Sequence, residues 1–318
     1  MNSDRITLRF LAGPGDVTVS GTAVPAGRVL EWIDRAAYAC AVGWSGSYCV
    51  TAYVGDVNFA KPIRPGDLIQ VHARLVLTGR SSMHILVSVE SADVRTREFS
   101  TATTCLLVMV AVDEHGQPNP VEAWKPFSEG DATLEHRARA RIEPRRLIQE
   151  VMRGASYTDR GTAPRTVFRF LAAPADANWG GNAHGGTVMR WIDETIYACA
   201  ASWSSERAVA VYAGGIQFVS PIHIGHVVEV DARIIHTSAR SMHVSARVRS
   251  GSPRTPHELT LTTQCLSVFV VPGDDGRAQP VAPLPLRTGE DLELDAHARQ
   301  LIAMRRSMAV IPSGLARA

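Results

Sequence analysis

The sequence predicts an α+β fold made of two similar units, and three observations lead to this prediction. Residues 27–85 and 186–244 align without a gap and share 25 identities in 59 positions, which indicates an internal duplication. Each copy contains one long apolar segment of helical length. A series of strand-sized runs separated by proline and glycine follows this segment. One helix followed by several strands is typical of an α+β domain, and the offset of 159–160 residues is a domain-sized repeat, too long for a solenoid.

The long helix of each unit, predicted at 27–43 and 186–202, is apolar almost all round. A helix with this pattern is buried on most of its faces. A short strand precedes it, with RFLAGP at 9–14 and RFLAAP at 169–174. We therefore expect one central helix in each unit, which the sheet of that unit must curve around.

Four further strands are predicted after each helix, from apolar and β-branched runs. They lie at 48–59, 68–77, 83–91 and 100–112 in the first unit, and at 207–218, 227–236, 242–249 and 258–271 in the second. Turn residues such as Pro62 and Gly66 separate them, which favours an antiparallel sheet.

Each unit is followed by a charged, helix-forming segment, at 128–151 and 288–306. Pro144 is predicted to break or kink the first of these helices. We expect both to pack on the outside of a unit. The predicted organisation is an N-terminal domain at 1–127, a charged helical linker at 128–164, a C-terminal domain at 165–287, and a helix and tail at 288–318.

The composition argues against several classes of protein. With 33 Lys and Arg against 31 Asp and Glu, the formal net charge is +2, so no extended basic field attracts nucleic acid or a membrane surface. The five cysteines include no CxxC pair, which predicts reduced thiols and no metal site. The N-terminus has no signal-peptide pattern, and the most apolar stretch, 105–112, is too short to span a bilayer. We expect a cytoplasmic protein.

The segment DANWGGNAHGGTVMRWID at 176–193 carries the most specific motif of the sequence. It combines an Asp-x-Asn, a Gly-Gly pair that opens the long helix, and an aspartate seven residues after the second glycine. FxxPIxxG segments follow in both units, at 59–66 and 218–225. Together these motifs resemble the acyl-CoA thioesterase branch of the hotdog superfamily, and the resemblance covers both units.

This resemblance implies two tandem hotdog domains, in each of which a curved antiparallel sheet wraps a long central helix, packed as a pseudo-twofold double hotdog. It implies hydrolysis of acyl-CoA thioesters to the free acid and CoA, with CoA as part of the substrate and no further cofactor. It also implies a homo-oligomer, for which a trimer of double hotdogs is one form.

Thioester hydrolysis needs an activated water or a carboxylate nucleophile, and donors for the developing oxyanion. Gly185 and Gly186 let a thioester approach the backbone at a helix start, where N–H groups lack intrahelical partners. With His184, they are the predicted oxyanion and substrate-binding residues. Asp34 and Asp193, each in the middle of an apolar helix, are the candidate carboxylates; the alternative for both is a capping or ion-paired aspartate.

Helix geometry selects between the two aspartates. Seven residues of helix span about 10 Å, so Asp193 is too far from the N–H of Gly186 in its own helix. We therefore predict a composite site in which Asp34 of the first copy, as general base or nucleophile, meets the helix start of the second. The resemblance implies that Asn178 orients the lytic water or the carboxylate there.

The second composite site, which includes Val19, Gly27 and Asp193, is predicted to be degenerate. Val19, or Thr18 if the one-residue gap is placed later, stands where the second copy has Asn178, and neither is an amide. Pro25 lacks an N–H, and Ala26 replaces the first glycine of the pair. The chain is thus expected to have one competent site.

The segments TGRSSMH at 78–84 and TSARSMH at 237–243 lie where the resemblance implies contacts to CoA. Arginine suits phosphate, and serine suits phosphate or the pantetheine amides. The residues concerned are Arg80, Ser81, Ser82, Arg240 and Ser241. His84 and His243, which end these segments, are interpreted as histidines of the core or of a sheet face.

Two other functions remain open at this point. A hotdog hydratase or dehydratase acting on acyl thioesters uses a paired Asp/His acid–base site, which the sequence does not reveal. A non-catalytic module that binds acyl thioesters is compatible with the degeneracy of the first copy.

Overall fold

The computed structural model describes residues 3–17 and 23–307. Contacts between Cα atoms divide the chain into two compact units. Among the described residues, the first unit comprises 3–17, 23–142 and 184–190, and the second comprises 143–183 and 191–307. The beginning of the second long helix, at 184–190, thus belongs by its contacts to the first unit.

The first unit is an antiparallel sheet with a long helix against it. Its elements are β1 (Arg5–Leu11), α1 (Ala26–Ser45), β2 (Tyr48–Val54), β3 (Val57–Asn58), β4 (Leu68–Thr78), β5 (Ser82–Ala92), β6 (Ser100–Val112) and α2 (Glu129–Ala140). Within the unit the strands pair in the order β1-β4-β5-β6-β2. α1 contacts all five of these strands, which explains why it is apolar almost all round.

α1 is delimited at both ends by residues that cannot continue a helix. It begins after Pro25 and ends at Gly46, whose φ of 63° is a left-handed conformation that favours glycine. The N–H of Gly46 donates to the carbonyl of Val42 at 2.9 Å, which closes the last turn. Phe10 of the edge strand β1 packs edge-to-face on Trp32 of α1, with ring centroids 5.0 Å apart.

The second unit repeats this arrangement. Its elements are α3 (Ile142–Gly154), β7 (Arg165–Leu171), α4 (Gly185–Trp203), β8 (Val209–Phe218), β9 (Val227–Thr237), β10 (Met242–Gly251), β11 (Thr260–Val270) and α5 (Gly289–Arg306). The strands pair antiparallel in the order β8-β11-β10-β9-β7. Phe170 of β7 and Trp191 of α4 reproduce the ring contact of the first unit, again at 5.0 Å.

The charged helices pack on the sheets, as the sequence predicts. In the first unit Leu134 and Ala138 of α2 form an apolar cluster with side chains of β4, β5 and β6. In the second, α3 and α5 contribute Ile148, Leu294 and Leu301 to a cluster with β9 and β11. The break between α2 and α3 falls at Arg141 instead of Pro144. Pro144 lies in the first turn of α3, where a missing N–H leaves no intrahelical hydrogen bond unmade.

The tandem α+β prediction is confirmed, with small differences at the ends of elements. The run predicted as one strand at 48–59 forms β2 and the two-residue β3. All five cysteines are buried and free of disulfides. His84 and His243 are buried in strands, as interpreted from the sequence. None of the helices in the described parts of the chain combines the length and apolar character that crossing a membrane requires.

Candidate active site

Asp34 lies in the middle of α1, and its side chain is 0% exposed. Its neighbours on the helix include Leu30, Ile33 and Ala37, which are also buried. A carboxylate in such surroundings costs several kcal/mol unless hydrogen-bond donors satisfy its oxygens. The contacts of this side chain therefore decide whether its burial is tolerated.

Three donors meet the carboxylate of Asp34. The hydroxyl of Thr51, on β2, donates to Oδ1 at 2.6 Å. The backbone N–H of Gly186 donates to Oδ2 at 2.8 Å, and Nδ1 of His184 lies 2.8 Å from the same oxygen. All of these residues belong to the first contact-based unit. The structure thus brings Asp34 together with His184, Gly185 and Gly186, and adds Thr51.

The glycine pair is required by the close approach of this helix start to α1 and β2. A Cβ at Gly185 would lie 2.8 Å from Oγ1 of Thr51 and 3.1 Å from Oδ1 of Asp34. A Cβ at Gly186 would lie 2.9 Å from Cα of Glu31, which is backbone and cannot move aside cheaply. Any side chain at these positions would push the start of α4 away from the carboxylate.

His184 is half-buried and bridges Asp34 to an aromatic side chain. Its hydrogen bond to Asp34 raises the pKa of His184 above the ordinary value of 6.5, against the opposing and smaller effect of burial. The ring of Tyr38 stands edge-on to the imidazole, with centroids 6.0 Å apart. The result is a histidine that carries its positive charge to higher pH beside a carboxylate.

One expectation for the helix start needs correction. The sequence predicts that the N–H of Gly186 donates to the oxyanion, but in the structure it donates to Asp34. The N–H of Gly186 points to Asp34 because it has no acceptor inside its own helix and the carboxylate lies beside it. The other first-turn donors are the N–H groups of Gly185 and Thr187, which equally have no partner within the helix.

Asn178 lies in a tight loop of the second unit before α4. Its side-chain oxygen accepts the N–H groups of Gly180 and Asn182, at 3.0 and 3.1 Å. Gly181, with φ of 72°, completes the turn. The side-chain oxygen therefore shapes its own loop, and the amide nitrogen is the polar group left to act elsewhere.

The residues assigned to CoA lie in two hairpin turns. Arg80 is exposed between β4 and β5, in a turn where the N–H of Gly79 donates to the carbonyl of Ser82 at 2.8 Å; Ser81 is half-buried beside it. In the second unit Arg240 is exposed in the corresponding turn, and Ser241 bonds the hydroxyl of Ser238 at 2.6 Å. Each turn presents an arginine to solvent.

The residues of the predicted degenerate site have different surroundings. Gly27 is buried in the first turn of α1. Asp193 is half-buried in α4, in contrast to the fully buried Asp34. Val19 lies outside the described residues.

Sequence reasoning missed Thr51 and the contact between His184 and Asp34. A threonine in a strand is too common to attract attention on its own. The available signal was the repeat, because Ala210 occupies the position equivalent to Thr51. The Asp–His contact joins residues 150 positions apart in sequence and could be found only from tertiary structure.

A family model described as the thioesterase superfamily matches the chain twice, at residues 24–98 and 180–257. The two matches fall on the two copies of the repeat. Each includes the central helix and the strands that follow it, except the last strand of the unit.

Curated relatives carry related names. The chain is 32% identical over 120 residues to the uncharacterized acyl-CoA thioester hydrolase YkhA of Bacillus subtilis, covering 38% of this chain and 70% of that protein. It is 40% identical over 240 residues to the human cytosolic acyl coenzyme A thioester hydrolase, covering 71% of this chain and 63% of that protein. The chain spans 59% of the length of two further curated relatives.

A solved structure supports the fold over most of the chain. The putative oleoyl thioesterase from Lactobacillus plantarum superposes with a TM-score of 0.60, covering 88% of this chain and 98% of that one. Sequence identity in this superposition is 8%, so the likeness concerns the fold alone.

Proposed function

Since this chain belongs to the thioesterase superfamily, we propose that it hydrolyses acyl-CoA thioesters to the free acid and CoA. Its two tandem hotdog domains correspond in this proposal to residues 1–127 and 165–287, with a charged helical linker at 128–164 and a C-terminal helix and tail at 288–318. The observation that carries the proposal is a carboxylate, Asp34, buried against a helix start that two glycines keep open.

Asp34 acts as general base or as nucleophile. As a base, it takes a proton from water while the water oxygen attacks the thioester carbon; the C–S bond then breaks and the CoA sulfur leaves with a proton. As a nucleophile, its oxygen attacks the thioester carbon and forms an anhydride while the C–S bond breaks and the CoA sulfur leaves and takes up a proton. Water then hydrolyses the anhydride to the free acid and the Asp34 carboxylate. The bond from Thr51 orients the carboxylate in either case, because it fixes Oδ1.

Oxyanion stabilisation falls to the donors that Asp34 does not occupy. The N–H of Gly185 lies at the start of α4, where the helix dipole favours developing negative charge. His184, kept protonated to higher pH by Asp34, has its second ring nitrogen available to a substrate oxygen. Asn178 holds the attacking water through its amide nitrogen, and Arg80 and Arg240 are contacts for the CoA phosphates.

The test is thiol release from a panel of acyl-CoA esters of increasing chain length. Wild type should release CoA above background with at least one ester, and Asp34→Asn, which keeps the shape of the side chain, should not. The burial of all five cysteines keeps the protein's own thiols from adding to the signal. Tight binding of CoA esters with no thiol release above background would contradict the proposal and favour a binding module.

Running the first turnover in water labelled with ¹⁸O separates the two roles of Asp34. A nucleophilic carboxylate whose anhydride is opened by water at the carbonyl carbon of Asp34 gives one of its own oxygens to the first product and takes up label, so label in Asp34 identifies the nucleophile. A general base leaves the label in the acid product alone. Mass spectrometry of the peptide that contains Asp34 reads the outcome.

A hydratase or dehydratase is the second candidate, and one observation favours it. The Asp/His pair that the sequence does not reveal is formed in the structure by Asp34 and His184. Analysis of products decides between the functions, because a hydratase changes the 2,3-bond of the acyl group and releases no thiol.

The assembly is also part of the proposal. We expect a homo-oligomer, with a trimer of double hotdogs as one form, and light scattering of the purified chain measures its mass. A monomeric mass at micromolar concentration would contradict this expectation.

A further inference from the structure

Glu31 is a second buried carboxylate next to the candidate active site. It is 6% exposed, and each of its oxygens accepts from an arginine. Nη1 of Arg28 donates to Oε2 at 2.5 Å, and Nε of Arg190 donates to Oε1 at 3.1 Å. Arg28 in turn donates to Asp16 at 2.6 Å. Removing one partner from such a pair leaves a buried charge uncompensated, so the contact is held firmly.

The ion pair lies one helical turn from the active-site hydrogen bond. Glu31 precedes Asp34 by three residues on α1, and Arg190 follows Gly186 by four residues on α4. Residues three or four apart share a helix face. The Glu31–Arg190 and Asp34–Gly186 contacts therefore join the same two helices at two points. Two fixed points oppose both sliding and rotation of the start of α4.

The backbones of the two helices touch between these points. A Cβ at Gly186 would lie 2.9 Å from Cα of Glu31. Because no side chain at Gly186 separates the two backbones, any displacement of α4 moves the donors at its start relative to Asp34. A misplacement of about 1 Å in a reacting group can cost about 100-fold in rate.

Glu31 and Arg190 are also equivalent positions of the internal repeat. Each precedes a Trp-Ile-Asp sequence, and the two lie 159 residues apart. If the two copies were identical, the side chains at these equivalent positions would carry the same charge. In contact with each other, they would repel. Opposite charges at this contact are possible only because the two copies differ.

We propose that Glu31 and Arg190 are positioning residues, whose ion pair fixes the start of α4 on α1 so that Gly186 and His184 reach Asp34. The kinetic part of this inference rests on the proposed hydrolase function. The structural part does not, because the contact between His184 and Asp34 can be followed without substrate.

The test compares Arg190→Glu with the charge-swapped double variant Glu31→Arg/Arg190→Glu. The single variant should lower kcat by about tenfold with a smaller change in KM, because donors are misplaced while the CoA contacts remain. The double variant restores opposite charges at positions 31 and 190 but sets an arginine at 31 beside Arg28, so it should recover only part of kcat. Arg190→Gln, which adds no repulsion and folds more readily, should lose kcat in the same direction by a smaller factor.

The pKa of His184, measured by NMR titration, provides the second readout. Replacing Arg190 by glutamate or glutamine makes the local charge more negative, which alone would raise the pKa of His184. Loss of the hydrogen bond to Asp34 lowers it. A fall in the pKa of His184 in Arg190→Glu therefore reports displacement of the helix start.

Arg139→Glu is the matched control. Arg139 forms an exposed ion pair with Glu135 on α2, at 2.7 Å, and α2 is distant in sequence from both α1 and α4. It should change neither readout. The inference is overturned if Arg190→Glu and Arg190→Gln keep the kcat of the wild type, or if their His184 pKa does not fall. If the wild type hydrolyses no acyl-CoA, the proposed function fails, and the titration alone decides the positioning role.

Discussion

Asp34 is surrounded by four residues, each of which has an equivalent in the other copy of the repeat, the equivalent of Asp34 itself being Asp193. The two sets of residues differ at three of the four positions. The contacting residues are Thr51, His184, Gly185 and Gly186; the equivalents are Ala210, Pro25, Ala26 and Gly27. Each difference removes one chemical property. Alanine has no hydroxyl to hold a carboxylate, proline has neither an N–H nor an imidazole, and a Cβ fills the space that a glycine leaves.

A duplicated chain can thus keep the residues of one site while most of their equivalents in the other copy are replaced. Asp34 is fully buried and satisfied by three donors, whereas Asp193 is half-buried. Conservation of the aspartate itself at both positions hides this difference. Only the residues around each aspartate distinguish the two.

The largest effect should separate Asp34→Asn from Asp193→Asn. Loss of the base or nucleophile at Asp34 should reduce kcat by about 100- to 10,000-fold. The same change at Asp193 should alter kcat less than about threefold, because the hydroxyl and the imidazole that contact Asp34 have no equivalent at the matching positions Ala210 and Pro25. Steady-state hydrolysis of one acyl-CoA measures both. Comparable losses in the two variants would show that the sites are equivalent.

Gly186→Ala should be the next most damaging change. Its new Cβ would collide with the backbone of Glu31, so α4 must shift and the unfolding free energy should fall by about 1–3 kcal/mol. Gly43→Ala, in the last turn of α1, is the control. The nearest atom to a Cβ there lies at 3.7 Å, and alanine favours a helix, so stability should be unchanged or higher. Thermal and urea unfolding compare the two, and equal effects would contradict the close approach at Gly186.

Thr51→Val should lower kcat by about tenfold, because it removes the hydroxyl that fixes Oδ1 of Asp34 and keeps the volume. The reciprocal change, Ala210→Thr, supplies a hydroxyl at the equivalent position without the missing histidine and glycine. It should leave kcat unchanged. A gain of activity in Ala210→Thr would mean that the second site lacks only this hydroxyl.

The smallest effect concerns pH. The pKa of His184 is raised in the folded chain. The contact with Asp34 therefore stabilises the fold fully when the pH is below 6.5, the ordinary pKa of histidine. This stabilisation is lost as the pH rises through the raised pKa. The unfolding free energy of the wild type should therefore fall as the pH rises above 6.5 and through the raised pKa of His184, apart from contributions of other groups. Asp34→Asn should remove this part of the slope and bring the pKa of His184 down. An unchanged His184 titration in Asp34→Asn would contradict the contact.

Much of the fold follows from the sequence because the repeat supplies each pattern twice. Two apolar helices and the strands after them were predictable from periodicity, and the structure places α1 and α4 within two residues of the predicted ends. Pro144 misled the prediction of a helix break, since a proline at the start of a helix has the same local signature as one that ends it.

The site was predictable only as far as helix length allowed. A span of seven residues excludes Asp193 as the partner of Gly186, which leaves Asp34. The direction of the Gly186 N–H was not predictable, because it depends on a carboxylate from a segment about 150 residues away. Thr51 was missed for the same reason, since its role is visible only when β2 is placed beside α1.

The most direct test of a single competent site is a crystal structure with a non-hydrolysable thioether analogue of an acyl-CoA. The account predicts that the analogue binds with its acyl carbonyl about 3–4 Å from the carboxylate of Asp34 and near the N–H of Gly185. It predicts no comparable density beside Asp193. Equal occupancy beside the two aspartates, or occupancy beside Asp193 alone, would contradict the asymmetry between the repeats.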